Sequence, residues 1–82
     1  METGLILEKM TRIFRNVFND DTIELSNDTT AKDIDSWDSL SHMLMITEVE
    51  NTFSVKFKLR EINKLKNVGT LVELIEVKTN FN

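Results

Sequence analysis

The sequence predicts an all-α protein, a small four-helix bundle with three longer helices, one short third helix and a long loop between the first two. The 82-residue chain has no proline and only two glycines, Gly4 and Gly69, and helix interiors tolerate neither residue well. Apolar residues also recur at helical spacing near the start of the chain. With 40% apolar residues the chain can bury one modest core, so residues 1–82 are predicted to form a single domain.

The first helix is predicted from about Thr3 to about Phe18. Its apolar residues lie three and four positions apart, as expected for one face of a helix, and charged residues stand between them. The members of this apolar face are Leu5, Ile6, Met10, Ile13, Phe14, Val17 and Phe18. A run of Asn and Asp residues at 19–21 then ends the helix.

A long loop is predicted from Asn19 to Trp37, where the helical periodicity is lost and Thr, Asn, Asp and Ser predominate. Loops of this length are unusual in compact domains and tend to be functional or disordered. The isolated apolar residues Ile23, Leu25 and Ile34 indicate that the loop packs across the helices. Trp37 is expected to anchor its end against the bundle.

The second helix is predicted within "DSLSHMLMITEVENTF", with Asp38 as N-cap, because a carboxylate accepts from free backbone N–H groups and favours the positive end of the helix dipole. At 100° per residue the helix has two apolar faces. The predicted core face consists of Met45, Ile46, Val49 and Phe53. The nearly opposite face consists of Leu40, Met43 and Leu44, with Thr47. Periodicity leaves open whether this second face is buried or meets a partner.

A short third helix is predicted in "LREINKL" and a fourth helix after Gly69. The third helix should direct its basic residues outward and Leu59, Ile62 and Leu65 inward. The fourth helix is predicted to begin with Thr70 as N-cap and Glu73 as its capping-box partner. Its apolar side is assigned to Leu71, Leu74, Ile75 and either Val72 or Val77. The tail from Lys78 to Asn82 is expected to fray.

The charge distribution is asymmetric. Residues 20–50 contain nine acidic side chains and one basic one, a formal charge of −8, whereas residues 56–66 contain five basic side chains and one acidic one. The acidic segment argues against nucleic-acid binding and for basic protein partners that are reached by electrostatic steering. A solvated acidic surface is the simpler alternative, and charge alone favours it.

Location and metal binding are predicted from what the sequence lacks. The chain has no cysteine, no signal-peptide pattern and no apolar run long enough to span a bilayer, which predicts a cytoplasmic protein that does not bind membranes. With one histidine and no EF-hand spacing among the carboxylates, no metal site is predicted. A phosphate-binding glycine loop and a dinucleotide fingerprint are also absent.

Nucleophilic catalysis is disfavoured although Ser39 and His42 lie three residues apart on the predicted helix. There is no G-x-S-x-G elbow, and no nearby glycine shapes an oxyanion site. A bundle of this size also has little room for a substrate pocket. The chain is therefore predicted not to be an enzyme, and His42, on the core side of the helix, is predicted to be packed or half-buried.

The segment "IDSWDSLSHMLMITEVENTFSVKF" carries a family resemblance. It has "DSL" at the predicted start of a helix that follows a long loop, and the helix ends in E-x-x-F-x-V. With these motifs, its length and its helix order, the whole chain resembles the acyl carrier proteins and their peptidyl relatives, which are phosphopantetheine-binding carrier proteins.

The resemblance implies that Ser39 Oγ is esterified by 4′-phosphopantetheine, which a separate phosphopantetheinyl transferase takes from coenzyme A. The product would be a phosphoprotein whose arm holds acyl or aminoacyl groups as thioesters and presents them to loading and transferring enzymes. A monomer is expected. Among the candidate serines, only Ser39 has both Asp38 before it and Leu40 after it. Ser36 lies in the loop before tryptophan, and Ser41 has no preceding aspartate.

Partner recognition is also implied by the resemblance. The apolar contacts would come from Leu40 and Met43, next to Leu44, and the acidic field from Asp35, Asp38, Glu48 and Glu50. Ser41 and Leu44 stand where carriers of fatty-acid synthesis usually have acids, and Trp37 replaces a small residue. These departures indicate a specialised carrier, in a cluster for polysaccharide, lipid or amino-acid-derived products.

A different class of function remains an alternative. A non-carrier interaction domain would use the face of Leu40, Met43 and Leu44 to bind a partner helix. It would bear no modification, and its partner binding would not change in a Ser39→Ala variant.

Overall fold

A computed structural model describes residues 2–79 of the chain. The described part contains four α-helices, α1 (Thr3–Val17), α2 (Ser39–Phe53), α3 (Leu59–Asn63) and α4 (Val68–Thr79). One turn of 3-10 helix, Ala31–Asp33, interrupts the long loop, and no strand occurs within residues 2–79. The predicted all-α bundle is confirmed. Of the tail predicted to fray, Lys78 and Thr79 are helical, and residues 80–82 lie outside the described range.

The core lies between α1, α2 and α4, and α1 packs against both of the other two helices. The largest fully buried side chains come from all three of them: Ile6, Met10, Phe14, Met45, Ile46, Val49, Val68 and Ile75. Each such side chain contributes roughly 1.5–3 kcal/mol when removed from water. The predicted core face of α2 is confirmed, because all four of its members are buried. No helix within residues 2–79 is long and apolar enough to cross a membrane.

The loop between α1 and α2 packs against the core, as its apolar residues predict. Ile23 is buried, and its carbonyl accepts a hydrogen bond from Arg15 Nε at 2.9 Å. The loop is also joined to the start of α4, where Gly69 N donates to the Asn27 carbonyl at 2.8 Å and Val68 N donates to the Thr29 carbonyl at 2.9 Å. A Cβ on Gly69 would lie 2.8 Å from the Asn27 oxygen, so this close approach requires glycine.

The start of α4 differs from the prediction of Thr70 as N-cap. The helix begins at Val68, and Asn67 Oδ1 accepts from Thr70 N at 2.9 Å while Thr70 Oγ1 accepts from Asn67 N at 3.2 Å. Asparagine is at least as good a cap as threonine, and Gly69 serves the contact with the loop from within the helix. Of the two valines left open, Val72 is buried and Val77 is 54% exposed.

The predicted inward position of Leu59 in α3 is wrong, because this side chain is 69% exposed. Ile62 and Leu65 do pack against the core as predicted, and the basic residues of the segment are exposed. The orientation of the short helix is set by Glu61, whose carboxylate accepts from Lys58 N at 2.8 Å and pairs with Lys78 Nζ at 3.2 Å. Leu59, at the first position of α3, is left facing solvent.

Candidate functional site

The amino end of α2 is held by a reciprocal cap between Asp38 and Ser41. Asp38 Oδ1 accepts from Ser41 N at 2.9 Å, and Ser41 Oγ accepts from Asp38 N at 2.8 Å. The predicted role of Asp38 as N-cap is thereby confirmed. Hydrogen bonds from Ser41 lower the pKa of Asp38, because they stabilise the ionised carboxylate. The larger effect comes from the backbone N–H of Ser41 and the smaller one from its hydroxyl.

Ser39 is the first residue of α2, and its side chain is exposed. Within residues 2–79 no side-chain or backbone group forms a hydrogen bond with its hydroxyl. Ser41, by contrast, accepts in the cap through its hydroxyl oxygen, and its one hydroxyl proton is shared between the Ser36 carbonyl at 2.9 Å and Asp38 Oδ1 at 3.1 Å. Of the two serines in this helix, only Ser39 presents an unengaged hydroxyl at the surface.

Trp37 anchors the end of the loop, as predicted. Its indole ring lies edge-on to Phe14, with ring centroids 5.1 Å apart, and its centroid is 5.9 Å from that of Phe18. Trp37 Nε1 donates to His42 Nδ1 at 3.0 Å, and the two rings stack at an interplanar angle of 19°. The predicted half-buried His42 is confirmed.

His42 is not arranged as a base for Ser39. Its Nδ1 is engaged by Trp37, and no hydrogen bond joins the imidazole to the Ser39 hydroxyl in the described part of the chain. Burial lowers the pKa of His42, because desolvation disfavours the charged imidazolium. The arrangement therefore provides a neutral, packed imidazole and does not support a serine hydrolase.

An open groove of about 480 Å³ begins at Ser39 and runs between the amino end of α2 and α3. Its lining residues are Ala31, Trp37, Asp38, Ser39, His42, Met43, Leu59, Ile62 and Asn63. The volume lies within the range of roughly 300–1,000 Å³ that is common for cofactor and small-molecule sites. Ala31, Trp37 and His42 also line a smaller inner cavity of about 100 Å³, which reaches Met45 and Leu71 of the core.

The second apolar face of α2, which periodicity left open, is exposed. Leu40 is 72% exposed, Leu44 53% and Met43 46%. The candidate acids Asp35, Asp38 and Glu48 are exposed as well. An apolar strip with carboxylates near it therefore adjoins Ser39.

Glu50 differs from the other candidate recognition residues. It is half-buried, and its Oε2 accepts from Phe57 N at 2.8 Å. Phe53 and Val55, the other members of the E-x-x-F-x-V motif, are buried. The motif therefore fastens the carboxyl end of α2 to the chain that follows it.

Several parts of the site were missed by reasoning from the sequence. The second wall of the groove comes from Leu59, Ile62 and Asn63, which no local pattern connects with Ser39. The hydrogen bond between Trp37 and His42 joins a loop residue to a helix residue, and a five-residue separation is not a contact spacing within one helix. In residues 2–79 no group of three or more His, Asp or Glu side chains could hold a metal ion.

Comparisons with known proteins point to one family. A family model described as "Phosphopantetheine attachment site" matches residues 8–75. Among solved structures, the holo acyl carrier protein from Geobacter metallireducens is 52% identical, with a TM-score of 0.84, and the match covers 89% of this chain and 84% of that one. A search of curated proteins gives no match.

Proposed function

The chain belongs to the phosphopantetheine-attachment family, as an acyl carrier protein with a covalent 4′-phosphopantetheine, and we propose that the Ser39 hydroxyl is the attachment point. The observation that carries this proposal is the unengaged, exposed hydroxyl of Ser39 at the opening of the groove. Because family members carry intermediates for other enzymes, the protein is a carrier and not an enzyme.

The residues around Ser39 fit such a group. The hydroxyl lies at the amino end of a helix, where free backbone N–H groups favour a phosphate, and the adjoining groove has the volume of a cofactor site. When bound, the group supplies a terminal thiol that carries the cargo as a thioester. The chain itself holds the first turn of α2 through Asp38 and Ser41 and walls the groove with Trp37 and Ile62.

The attachment point is tested with coenzyme A, a promiscuous phosphopantetheinyl transferase and intact mass spectrometry. The wild-type protein should gain the mass of one phosphopantetheine, and Ser39→Ala should gain none. Ser36→Ala, a nearby serine outside the helix, is the matched control and should be modified like the wild type. A mass gain that persists in Ser39→Ala would overturn the assignment.

As a carrier the protein interacts with a phosphopantetheinyl transferase and with acyl-handling enzymes. The proposal for its recognition surface comprises the apolar residues Leu40, Met43 and Leu44 and the acids Asp35, Asp38, Glu48 and Glu50. Exposure of the apolar strip and the −8 charge of residues 20–50 support it. Glu50 would add only its charge, since its carboxylate is held by Phe57.

Affinity for a purified partner enzyme tests this surface. Leu40→Ala should weaken binding about tenfold, as for an apolar contact at the centre of an interface, and raising the salt concentration should weaken it further. Leu5→Ala, at an exposed apolar residue of α1, is the control and should leave the affinity unchanged. Binding that does not respond to salt would exclude the steering role of the acids.

The proposal also includes a monomeric, single-domain protein over residues 1–82, a cytoplasmic location and a role in a specialised cluster for lipid or secondary-metabolite biosynthesis. The specialised role is supported by Ser41 and Leu44: Leu44 is exposed, and Ser41 is engaged in the cap. The surface near Ser39 is therefore more apolar and less acidic than that of a carrier with acids at these two positions. Loading assays with acyl- and aminoacyl-activating enzymes distinguish the two cargo classes. The comparisons give no support to the alternative of a non-carrier interaction domain.

A further inference from the structure

The hydrogen bond from Trp37 to His42 fixes the tautomer of the imidazole. An indole N–H is a donor only, so His42 Nδ1 must be unprotonated to accept it at 3.0 Å. The single proton of the neutral ring then lies on Nε2. Trp37 thus turns the other nitrogen of His42 into a hydrogen-bond donor.

This donor has no partner in the described part of the chain. No group within residues 2–79 accepts a hydrogen bond from His42 Nε2. In the same range every fully buried side-chain nitrogen or oxygen has a hydrogen-bond partner, so Nε2 is not one of the fully buried atoms. Nε2 must therefore retain contact with solvent. His42 lines the groove that begins at Ser39 as well as the smaller cavity beside it, so this N–H is available to a group lying in either space.

The donor is also held in place before any ligand arrives. The imidazole stacks on Trp37, and the indole is in turn packed edge-on against the fully buried Phe14. A donor that is fixed by packing loses little conformational entropy when it binds an acceptor. His42 also lines the inner cavity, so it stands where the groove and the cavity meet.

We propose that His42 Nε2–H donates a hydrogen bond to a carbonyl or hydroxyl oxygen of the group carried on Ser39, and that His42 is a positioning residue for that group. This inference rests on the proposed attachment at Ser39. A neutral oxygen is the acceptor that suits this position, because the Asp38 carboxylate in the same groove disfavours a second anion and Met43 and Ile62 are apolar. The oxygen belongs either to an amide of the arm or to the cargo.

Nuclear magnetic resonance of the imidazole nitrogens in four forms of the full chain tests the proposal. One form is unmodified, one carries the arm alone, and two carry the arm loaded with either a 3-hydroxybutyryl or a butyryl group. A new hydrogen bond should move the Nε2 resonance and slow exchange of its proton roughly three- to tenfold. A change with the arm alone assigns the acceptor to the arm. A change that requires the 3-hydroxybutyryl group, and is absent with butyryl, assigns it to the hydroxyl of the cargo, and one with either group to the acyl carbonyl.

Variants separate positioning from simple packing. His42→Phe keeps a stacked ring without a donor and should lose the nuclear Overhauser contacts between the arm and Ile62, whereas His42→Gln, which keeps an N–H donor, should restore part of them. Equal contacts in His42→Phe and wild type would overturn the proposal, as would an Nε2 resonance that is identical in all four forms. Intact mass of each sample shows whether the arm is present on Ser39, so a failure of the attachment itself is recognised separately.

Discussion

At the amino end of α2, Ser39 and Leu40 face solvent, and the polar groups of the cap hydrogen bond to each other. At its carboxyl end, in contrast, Phe53 and Val55 are buried in the bundle. Both ends bear a sequence motif of the family resemblance, and the motifs do different work. "DSL" exposes the Ser39 hydroxyl on a capped turn, and E-x-x-F-x-V closes the core. Substitutions at the carboxyl end should therefore lower stability, and substitutions at the amino end should affect the proposed modification.

The largest loss of stability is expected from Phe53→Ala, at the carboxyl end. The removed ring is only 6% exposed, and truncation of a buried phenylalanine costs about 3–5 kcal/mol. Leu40→Ala, at the amino end, is the control and should change the free energy of unfolding by less than about 0.5 kcal/mol. Urea denaturation measures both. Equal losses at the two ends would contradict the division of roles.

A smaller loss is expected from Glu50→Ala, which removes the acceptor of the half-buried Phe57 N–H. An unsatisfied donor of this kind costs about 1–3 kcal/mol. Glu48→Ala removes the same charge from an exposed position of the same helix and should cost less than about 0.5 kcal/mol. If the two variants unfolded at the same urea concentration, Glu50 would have no structural role.

At the amino end, Asp38→Ala should lower stability less than Glu50→Ala, because Asp38 is exposed whereas Glu50 is half-buried. The pKa of Asp38 is lowered in the folded state by the N–H and hydroxyl of Ser41. The ionised Asp38 carboxylate therefore contributes fully to the free energy of unfolding above the unfolded pKa of about 3.9, and this contribution is lost as the pH falls through the folded pKa. The free energies of unfolding of the wild type and of Asp38→Ala should therefore converge in acid. Asp35→Ala, at an exposed position, is the control. A gap that persists in acid strong enough to protonate the carboxyl in both states would show that the cap does not act through its charge.

The smallest effect concerns His42, whose pKa is lowered by burial from the usual 6.5. Between the two pKa values the unfolded chain binds more protons than the folded one, so stability rises with pH through this window and is complete above about 6.5. His42→Gln should flatten that part of the stability profile measured by thermal denaturation. A profile that is equally steep in the variant would assign the dependence to another group.

The features that the sequence predicted correctly are those fixed by local periodicity or by a single turn. The face of Met45, Ile46, Val49 and Phe53 and the cap at Asp38 are of this kind. Two predictions failed where distant contacts decide. The sequence predicts that α4 begins after Gly69 with Thr70 as N-cap, although Gly69 is a helical residue pressed against Asn27. It also predicts that Leu59 points inward, although this side chain is 69% exposed in a turn held by the Glu61–Lys78 ion pair.

The candidate site shows the same limit. Ser39 could be singled out from its two neighbours in sequence, because the motif is contiguous. The groove could not, since its second wall belongs to α3, whose position relative to α2 depends on packing of the whole bundle. The donor on His42 was hidden for a similar reason, because the proton position depends on Trp37, a residue of another element.

The contact between Gly69 and Asn27 has a consequence for redesign of the carrier. This hydrogen bond and the one from Val68 N to the Thr29 carbonyl join the start of α4 to the loop, and they leave no room for a side chain at Gly69. Backbone hydrogen bonds of α3, in contrast, all join residues close in sequence within the described part of the chain. An engineer who wishes the groove at Ser39 to admit bulkier groups should leave these two bonds to the loop intact and gain the space by moving or trimming α3, which forms the second wall of the groove.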